Sequence, residues 1–135
     1  MTVQVRLVVP DGEVWSGNAR MVIAKTLDGD IGILGSHPSV LGILAEGSVV
    51  EILDPEEGSS AQGAGMRIAV RSGFLSVHDD RVSILAREAE LGSQVDRATV
   101  QSQLDAALSD AGPGEEESAE VKYSRARLRA AGDRS

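Results

Sequence analysis

From Thr2 to about Ala86 the apolar residues recur at every second position, and beyond that at every third or fourth, so the chain divides into a β part and an α part. Val3, Val5, Leu7 and Val9 alternate with Thr2, Gln4 and Arg6, the pattern of a strand buried on one face, and Pro10-Asp11-Gly12 ends the run. Further strands are predicted at 20–26, 31–34, 40–45, 48–53, 66–71, 74–77 and 82–86. The turns between them are Asp28-Gly29, Glu46-Gly47, Ser72-Gly73 and His78-Asp79-Asp80-Arg81. Asp28-Gly29 reads as the centre of a hairpin, because both residues tolerate positive φ. Short strands punctuated this often, with no helical period among them, predict a β-sandwich or barrel. The stretch 54–65 is rich in Gly, Ser and acid and has no period, as expected of a long hairpin loop.

The α part opens on Ser93-Gln94-Val95-Asp96, a Ser-x-x-acid capping box. Val100, Leu104, Ala107, Leu108 and Ala111 then fall on one helical stripe, which Gly112-Pro113-Gly114 stops. A second helix is predicted over about 115–131, with Ala119, Tyr123, Ala126 and Ala130 on its apolar stripe, acids at its start and Lys/Arg toward its end. The predicted fold is mainly β plus α: an N-terminal β-sandwich, 1–87, followed by a C-terminal antiparallel two-helix hairpin, 88–135. Few large apolar residues lie on the hairpin, and helices this short are near the limit of independent stability, so the unit is expected to need a docking surface and to leave it readily.

Composition narrows the function. At 135 residues the chain supports one core and an appendage. It has no cysteine, which excludes disulfides and thiolate chemistry. A net charge of −8 argues against a general phosphate-backbone binder, and Trp15, Phe74 and Tyr123 are too few for a base-stacking platform, so no nucleic acid is expected as a partner. The N-terminus alternates in polarity and no apolar run approaches a membrane span, which reads as a soluble chain.

The glycine-rich segment 29–44, GDIGILGSHPSVLGIL, lacks the Gly-Lys-Ser/Thr of a phosphate loop and is flanked by strands on both sides. Gly29 and Gly32 read as turn geometry and close strand approach. His37 and His78 stand in separate turns without His-x-His spacing, so no metal site is expected. No Gly-x-Ser-x-Gly elbow occurs, and no catalytic constellation is found. Asp79-Asp80 and Glu88/Glu90 read as a turn and an exposed face. Lys122, Arg125 and Arg129 recur at i, i+3 and i+7 on the last helix, where they form either a solvated end or a face for an acidic protein surface.

Taken in order, "PDGEVWSG", "DGDIGILGSHPSVL", "GFLSVHDDRVSILA" and the terminal "RARLRAAG" closely resemble the ε subunit of the bacterial F-type ATP synthase, particularly its actinobacterial form. The resemblance spans almost the whole chain. It implies a non-catalytic rotor subunit, peripheral on the cytoplasmic face of the plasma membrane, bound to it only through the complex. Its sandwich would bind the γ subunit and sit on the c-ring of a proton-driven enzyme. Its hairpin would lie on the sandwich or extend into the αβ catalytic head and restrain ATP hydrolysis. Carried over by position, Asp28, Gly29 and Asp30 form the c-ring-facing turn, and His37, Val40, Leu41 and Gly42 belong to the γ contact. Lys122, Arg125, Arg127 and Arg129 are the helix contacts with acidic residues of the head. Two departures stand out: Gly35-Ser36 replace the Pro-Gly that often precedes the histidine, and Val95-Asp96-Arg97-Ala98-Thr99-Val100 keeps the Asp of the [I/L]-D-x-x-R-A nucleotide motif but lacks its closing Arg-Ala pair. No cofactor, ATP included, is therefore expected. The alternative reading is a free-standing β-sandwich binding module with a regulatory helical tail, built around an internal apolar cavity.

Overall fold

The computed structural model describes residues 2–53, 65–110 and 118–132. Eight strands are present: β1 (Val3–Val9), β2 (Gly12–Ala19), β3 (Met21–Thr26), β4 (Gly29–Ile33), β5 (Val40–Ile43), β6 (Ser48–Leu53), β7 (Met66–His78) and β8 (Arg81–Leu91). A short 3-10 turn at Gly92–Gln94 leads to helices α1 (Arg97–Asp110) and α2 (Ala119–Ala130). The strands bond in the order β2-β1-β8-β7-β6-β3-β4, with β5 also on β7. All neighbours are antiparallel except β1 and β8, which run parallel. This is the sandwich followed by two helices that the periodicity predicts.

Two long strands make the two layers one body. Met66 to Val70 of β7 pair with β6, whereas Phe74 to Val77 pair with β5, and β8 accompanies β7 on both sides of the break. At the break Ser72 has φ 48° and Gly73 φ 147°. Side-chain parity changes there: Ile68 and Val70 point into the core before the corner, Leu75 and Val77 after it. In β8, Val82, Ile84 and Ala86 point inward, then Ala89 and Leu91. Each strand therefore passes from one layer to the other while keeping an apolar side inward, as strands that switch sheets must. A Cβ on Gly73 would lie 2.0 Å from the Leu85 carbonyl oxygen, so only glycine fits. Sequence reading places a turn at Ser72-Gly73 between two strands. The structure has instead a corner within one strand, since the pairing with β8 resumes beyond it in the same register.

Other differences are local. β2 was not predicted, because its residues are mostly polar or glycine; it is an edge strand paired only with β1, and Val14 and Trp15 alone of its middle reach the core. The β3–β4 hairpin turns on Leu27-Asp28, with Thr26 paired to Gly29; Gly29, at φ 118°, opens β4. The Thr26 hydroxyl locks that turn, donating to the Gly29 carbonyl at 2.7 Å and accepting from Asp28 N at 3.2 Å. Asp96, not Ser93, caps α1, its carboxylate accepting from Thr99 N at 3.2 Å, and Ser93 lies in the 3-10 turn. That bond, with a second from the Thr99 hydroxyl, holds the Asp96 carboxyl below its ordinary range. Leu108, assigned to the buried stripe, is exposed. The 54–64 loop, Ala111, the Gly-Pro-Gly break and the acidic start expected for the second helix at 115–117 lie outside the described residues.

Helix α2 is the middle of a stack. Tyr123, Ala126 and Ala130 rest on Ala69 and Val49 of the sheet, while Val121 and Leu128 pack on Val100 and Leu104 of α1. Burial on both sides explains why Val121, Ser124 and Leu128, off the predicted stripe, are also buried. Ser118 caps the helix, accepting from Val121 N at 3.2 Å. Two glycines let its backbone come down: a Cβ on Gly92 would meet the Ala130 carbonyl oxygen at 2.0 Å, and one on Gly47 would meet the Lys122 carbonyl carbon at 2.4 Å.

Gly92→Ala is expected to lift α2 and leave the sandwich folded, a penalty of roughly 1–3 kcal/mol for overpacking concentrated on the docking contact. Amide exchange checks this: protection should fall across 119–130 and persist in β1, β7 and β8, and unchanged helix protection would contradict it. A second expectation concerns Tyr123, the only tyrosine, whose phenol burial pushes up to about 12. A free phenol ionises near 10. Between those values the docked helix keeps a proton that the released helix gives up, so docking weakens as pH rises from about 10 to about 12. Phenolate absorbance read beside helix protection should show this, and Tyr123→Phe should remove the dependence of docking on pH in that window.

Candidate docking surfaces

The corner in β7 leaves apolar residues pointing outward on one layer. Ile43, Phe74, Leu85 and Val8 lie opposite one another across β5, β7, β8 and β1. Ile43 is 57% exposed, Phe74 53%, Leu85 48% and Leu41, two residues along β5, 77%. Leu27, at the β3–β4 turn, joins them, its N–H donating to the Ile43 carbonyl at 2.9 Å. An open groove runs across this face, lined by Val8, Pro10, Gly73, Phe74, Leu85 and Ala86 among others. An apolar patch this continuous is unusual for a surface left in water and marks an interaction site.

The residues assigned to the γ contact divide around this face. Leu41 is on it. Val40 packs against the core, and Gly42 is half-buried beside Thr26. His37 lies in the loop between β4 and β5, its Nδ1 2.7 Å from the Pro38 carbonyl oxygen. Asp28, Gly29 and Asp30 are exposed at the opposite end of β4, where Asp30 stands across from Lys25. A five-residue strand, on the order of 17 Å, separates His37 from that turn, whereas β5 runs back toward it and brings Gly42 beside Thr26. Phe74, Ile43 and Leu85 were not singled out by sequence. Their signal is that "GFLSV", "VLGIL" and "SILA" are apolar at both parities, which for a strand means that both faces are covered.

The second surface is the seat of the hairpin, where the sheet is charged. Arg67 pairs with Glu51 at 3.5 Å, and Arg71 pairs with Glu88 at 2.7 Å and with Glu46 at 4.0 Å. The basic residues of α2 are distributed over it. Arg127 reaches toward β8: its Nε donates to Glu90 at 2.6 Å, its Nη1 to Gln103 of α1 at 2.9 Å, and its guanidinium lies 5.5 Å from the Tyr123 ring centre. Glu90 is thus a half-buried partner and not part of an exposed face, because β8 carries it under α2. Arg129 reaches the other way and donates to the Gly47 carbonyl at 3.3 Å, while its own carbonyl accepts from Arg67 at 3.1 Å. Arg97 of α1 donates to the Ala131 carbonyl, so cations meet the open C-terminus of α2. Lys122 is exposed and Arg125 half-buried. Arg127 and Arg129, both among the assigned contacts, therefore hold the hairpin to the rest of the chain.

Among the described residues the inward side chains of both layers form one continuous cluster. Among the described residues no three His, Asp or Glu side chains gather as a metal site. No described helix is long and apolar enough to cross a membrane.

Residues 2–92 match the family model "ATP synthase, Delta/Epsilon chain, beta-sandwich domain". The chain is 47% identical to the ATP synthase epsilon chain of Thermobifida fusca, covering 94% of this chain and 90% of that one. It is 37% identical to that of Streptomyces coelicolor, covering 96% and 95%. The Frankia casuarinae epsilon chain is 43% identical over 91 residues, which are 67% of this chain and 99% of that relative; its whole length is about that of the sandwich. Among solved structures, a chain of the Euglena gracilis mitochondrial ATP synthase (OSCP/F1/c-ring) shares the fold with TM-score 0.67 at 21% identity, covering 94% of this chain and 75% of that one. A chain of the Tetrahymena thermophila mitochondrial ATP synthase central stalk/c-ring shares it with TM-score 0.59 at 18% identity, covering 97% and 91%. With a two-layer sheet bearing an apolar outer face, a helix pair seated on its other layer, and these relatives, the chain belongs to the ATP synthase epsilon-chain family.

Proposed function

We propose that the chain is a non-catalytic central-stalk subunit of a proton-driven F-type ATP synthase, docked on γ through the apolar face of β5, β7 and β8. The exposed row of Ile43, Phe74 and Leu85 is the observation that supports this, since it needs a partner and nothing in the described chain covers it. Asp28, Gly29 and Asp30, exposed at the far end of β4, meet polar loops of the c-ring in this reading, and His37 and Leu41 meet γ. The subunit sits peripherally on the cytoplasmic face of the plasma membrane, held there by the complex.

The hairpin supplies regulation. Docked, Arg127 and Arg129 bind Glu90 and the Gly47 carbonyl. Extended into the αβ head, the same cations, with Lys122 and Arg125, face acidic residues of the head and stall hydrolysis by favouring one rotary state. The two arrangements exclude each other, because α2 cannot lie on the sheet and in the head at once. A relative of sandwich length supports a division in which the sandwich docks and the hairpin restrains.

Gel filtration with a γ-containing catalytic head stripped of its own epsilon chain tests the docking. The wild-type chain and a truncation after Leu91 should both co-elute with the head, and Phe74→Asp, at an exposed position, should fold and fail to co-elute. Co-elution of that variant at wild-type level would refute the docking face. The truncation should also raise ATP hydrolysis by the complex. The hairpin is further proposed to carry no specific nucleotide site, a reading supported by the engagement of Asp96 as the α1 cap. Titration calorimetry should show no saturable heat with ATP at physiological concentration.

A further inference from the structure

The turn between β7 and β8 does more than reverse the chain. Its central residues, Asp79 and Asp80, are both left-handed, at φ 49° and 60°, the conformation of a tight hairpin and one that Asp tolerates better than most residues. Asp80 joins three parts of the sandwich at that point. Its backbone carbonyl accepts from Gln4 N of β1 at 2.8 Å. Its carboxylate accepts from Ser36 N at 2.5 Å, 44 residues away in the loop between β4 and β5. The neighbouring His78 adds a second tie to that loop, with Nδ1 3.1 Å from the Ser39 hydroxyl, while its Nε2 is 3.1 Å from the Asp79 carboxylate. Both histidines of the chain thus belong to one loop cluster, although they are distant in sequence.

The loop itself is under constraint. Ser36 is left-handed at φ 64°, a conformation unfavourable for serine unless the surroundings impose it. The turn it makes is closed by His37 N donating to the Leu34 carbonyl at 3.2 Å. An N–H donating to a carboxylate is a charge-assisted bond, stronger than one to a neutral acceptor, and the Asp80 oxygen is aimed at the amide of the strained residue. The loop then feeds straight into β5, whose Leu41 is the most exposed of the outward apolar residues.

We propose that Asp80 is a positioning residue, holding the β4–β5 loop and its His37 in the shape that meets the stalk partner. This rests on the reading that the loop faces γ. Asp80 does not itself touch the partner in this account; it acts through the Ser36 amide.

Asp80→Asn keeps a side-chain oxygen acceptor and tolerance of left-handed φ, whereas Asp80→Gly keeps the backbone freedom and removes the acceptor. Two measurements on the full chain separate the outcomes: exchange of the Ser36 amide in the free protein, and affinity for the γ-containing head. In Asp80→Gly the Ser36 amide should exchange at least roughly tenfold faster and affinity should fall by a similar factor, about what loss of one bond to a charged group gives. Asp80→Asn, whose neutral oxygen still accepts, should fall between wild type and Asp80→Gly in both. Unchanged Ser36 exchange in Asp80→Gly would overturn the proposal, as would affinity equal to that of Asp80→Asn. If the wild-type chain did not bind the head, the docking reading would fall, and the amide measurement would still decide whether Asp80 orders the loop.

Discussion

The close approach of Gly73 to the carbonyl of Leu85 is the constraint on which the other features depend. Because no side chain fits between them, β7 bends there, exchanges β6 for β5 as a neighbour, and reverses which of its side chains face the core. β8 follows with the same reversal. One pair of strands thereby serves both layers, and its two halves present outer faces of different chemistry. Past the corner in β7 the outward residues are Phe74, Ile43 and Leu85; before it they are Ala69, Arg67, Arg71, Glu88 and Glu90. The first needs a partner to be covered. The second is charged and stays well hydrated when uncovered.

This difference accounts for how the hairpin is held. On the sheet side α2 buries one tyrosine and small residues, and on the α1 side it buries valines and leucines. Its attachment to the sandwich therefore leans on close backbone approach at Gly47 and Gly92 and on directional bonds from Arg127, Arg129 and Arg67 more than on apolar area. Such contacts are strong only in one geometry, which suits a unit that leaves and returns as a body more than one that loosens gradually. That the removal of the hairpin uncovers polar sheet agrees with a relative as short as the sandwich.

Much of this was legible in the sequence, for identifiable reasons. Alternation in β1 and the helical period of the C-terminal part reported the class and order of elements, because burial on one face imposes period two on a strand and 3.6 on a helix; the change of period read after Ala86 falls after Leu91, since β8 runs on past its corner. The stripe of Tyr123, Ala126 and Ala130 was legible for the same reason. What failed lay where the residues carry no pattern, where a local hydroxyl shifts a turn, or where the partner is distant in the chain. The polar edge strand β2 has no pattern to read, Ser72-Gly73 has the composition of a turn whether the chain reverses or bends, and Leu27-Asp28 replaces Asp28-Gly29 because Thr26 fixes the turn with its hydroxyl. At the site, Arg127 and Arg129 stood out as charges, but their partners Glu90 and Gly47 are 37 and 82 residues away. The joining of His37 and His78 through one loop cluster is likewise a product of topology.

The central claim is that the two outer faces have separate tasks, the apolar one binding the stalk and the charged one seating the hairpin. Side-chain oxidation footprinting, comparing the free chain with the chain bound to the γ-containing head, tests it most directly. The account predicts that Leu41, Phe74 and Leu85 lose most of their reactivity on binding while the sheet under α2 gains no protection from γ. Undiminished reactivity at Phe74 and Leu85 in the bound chain, with protection appearing at Arg67, Arg71 or Glu88 instead, would contradict it.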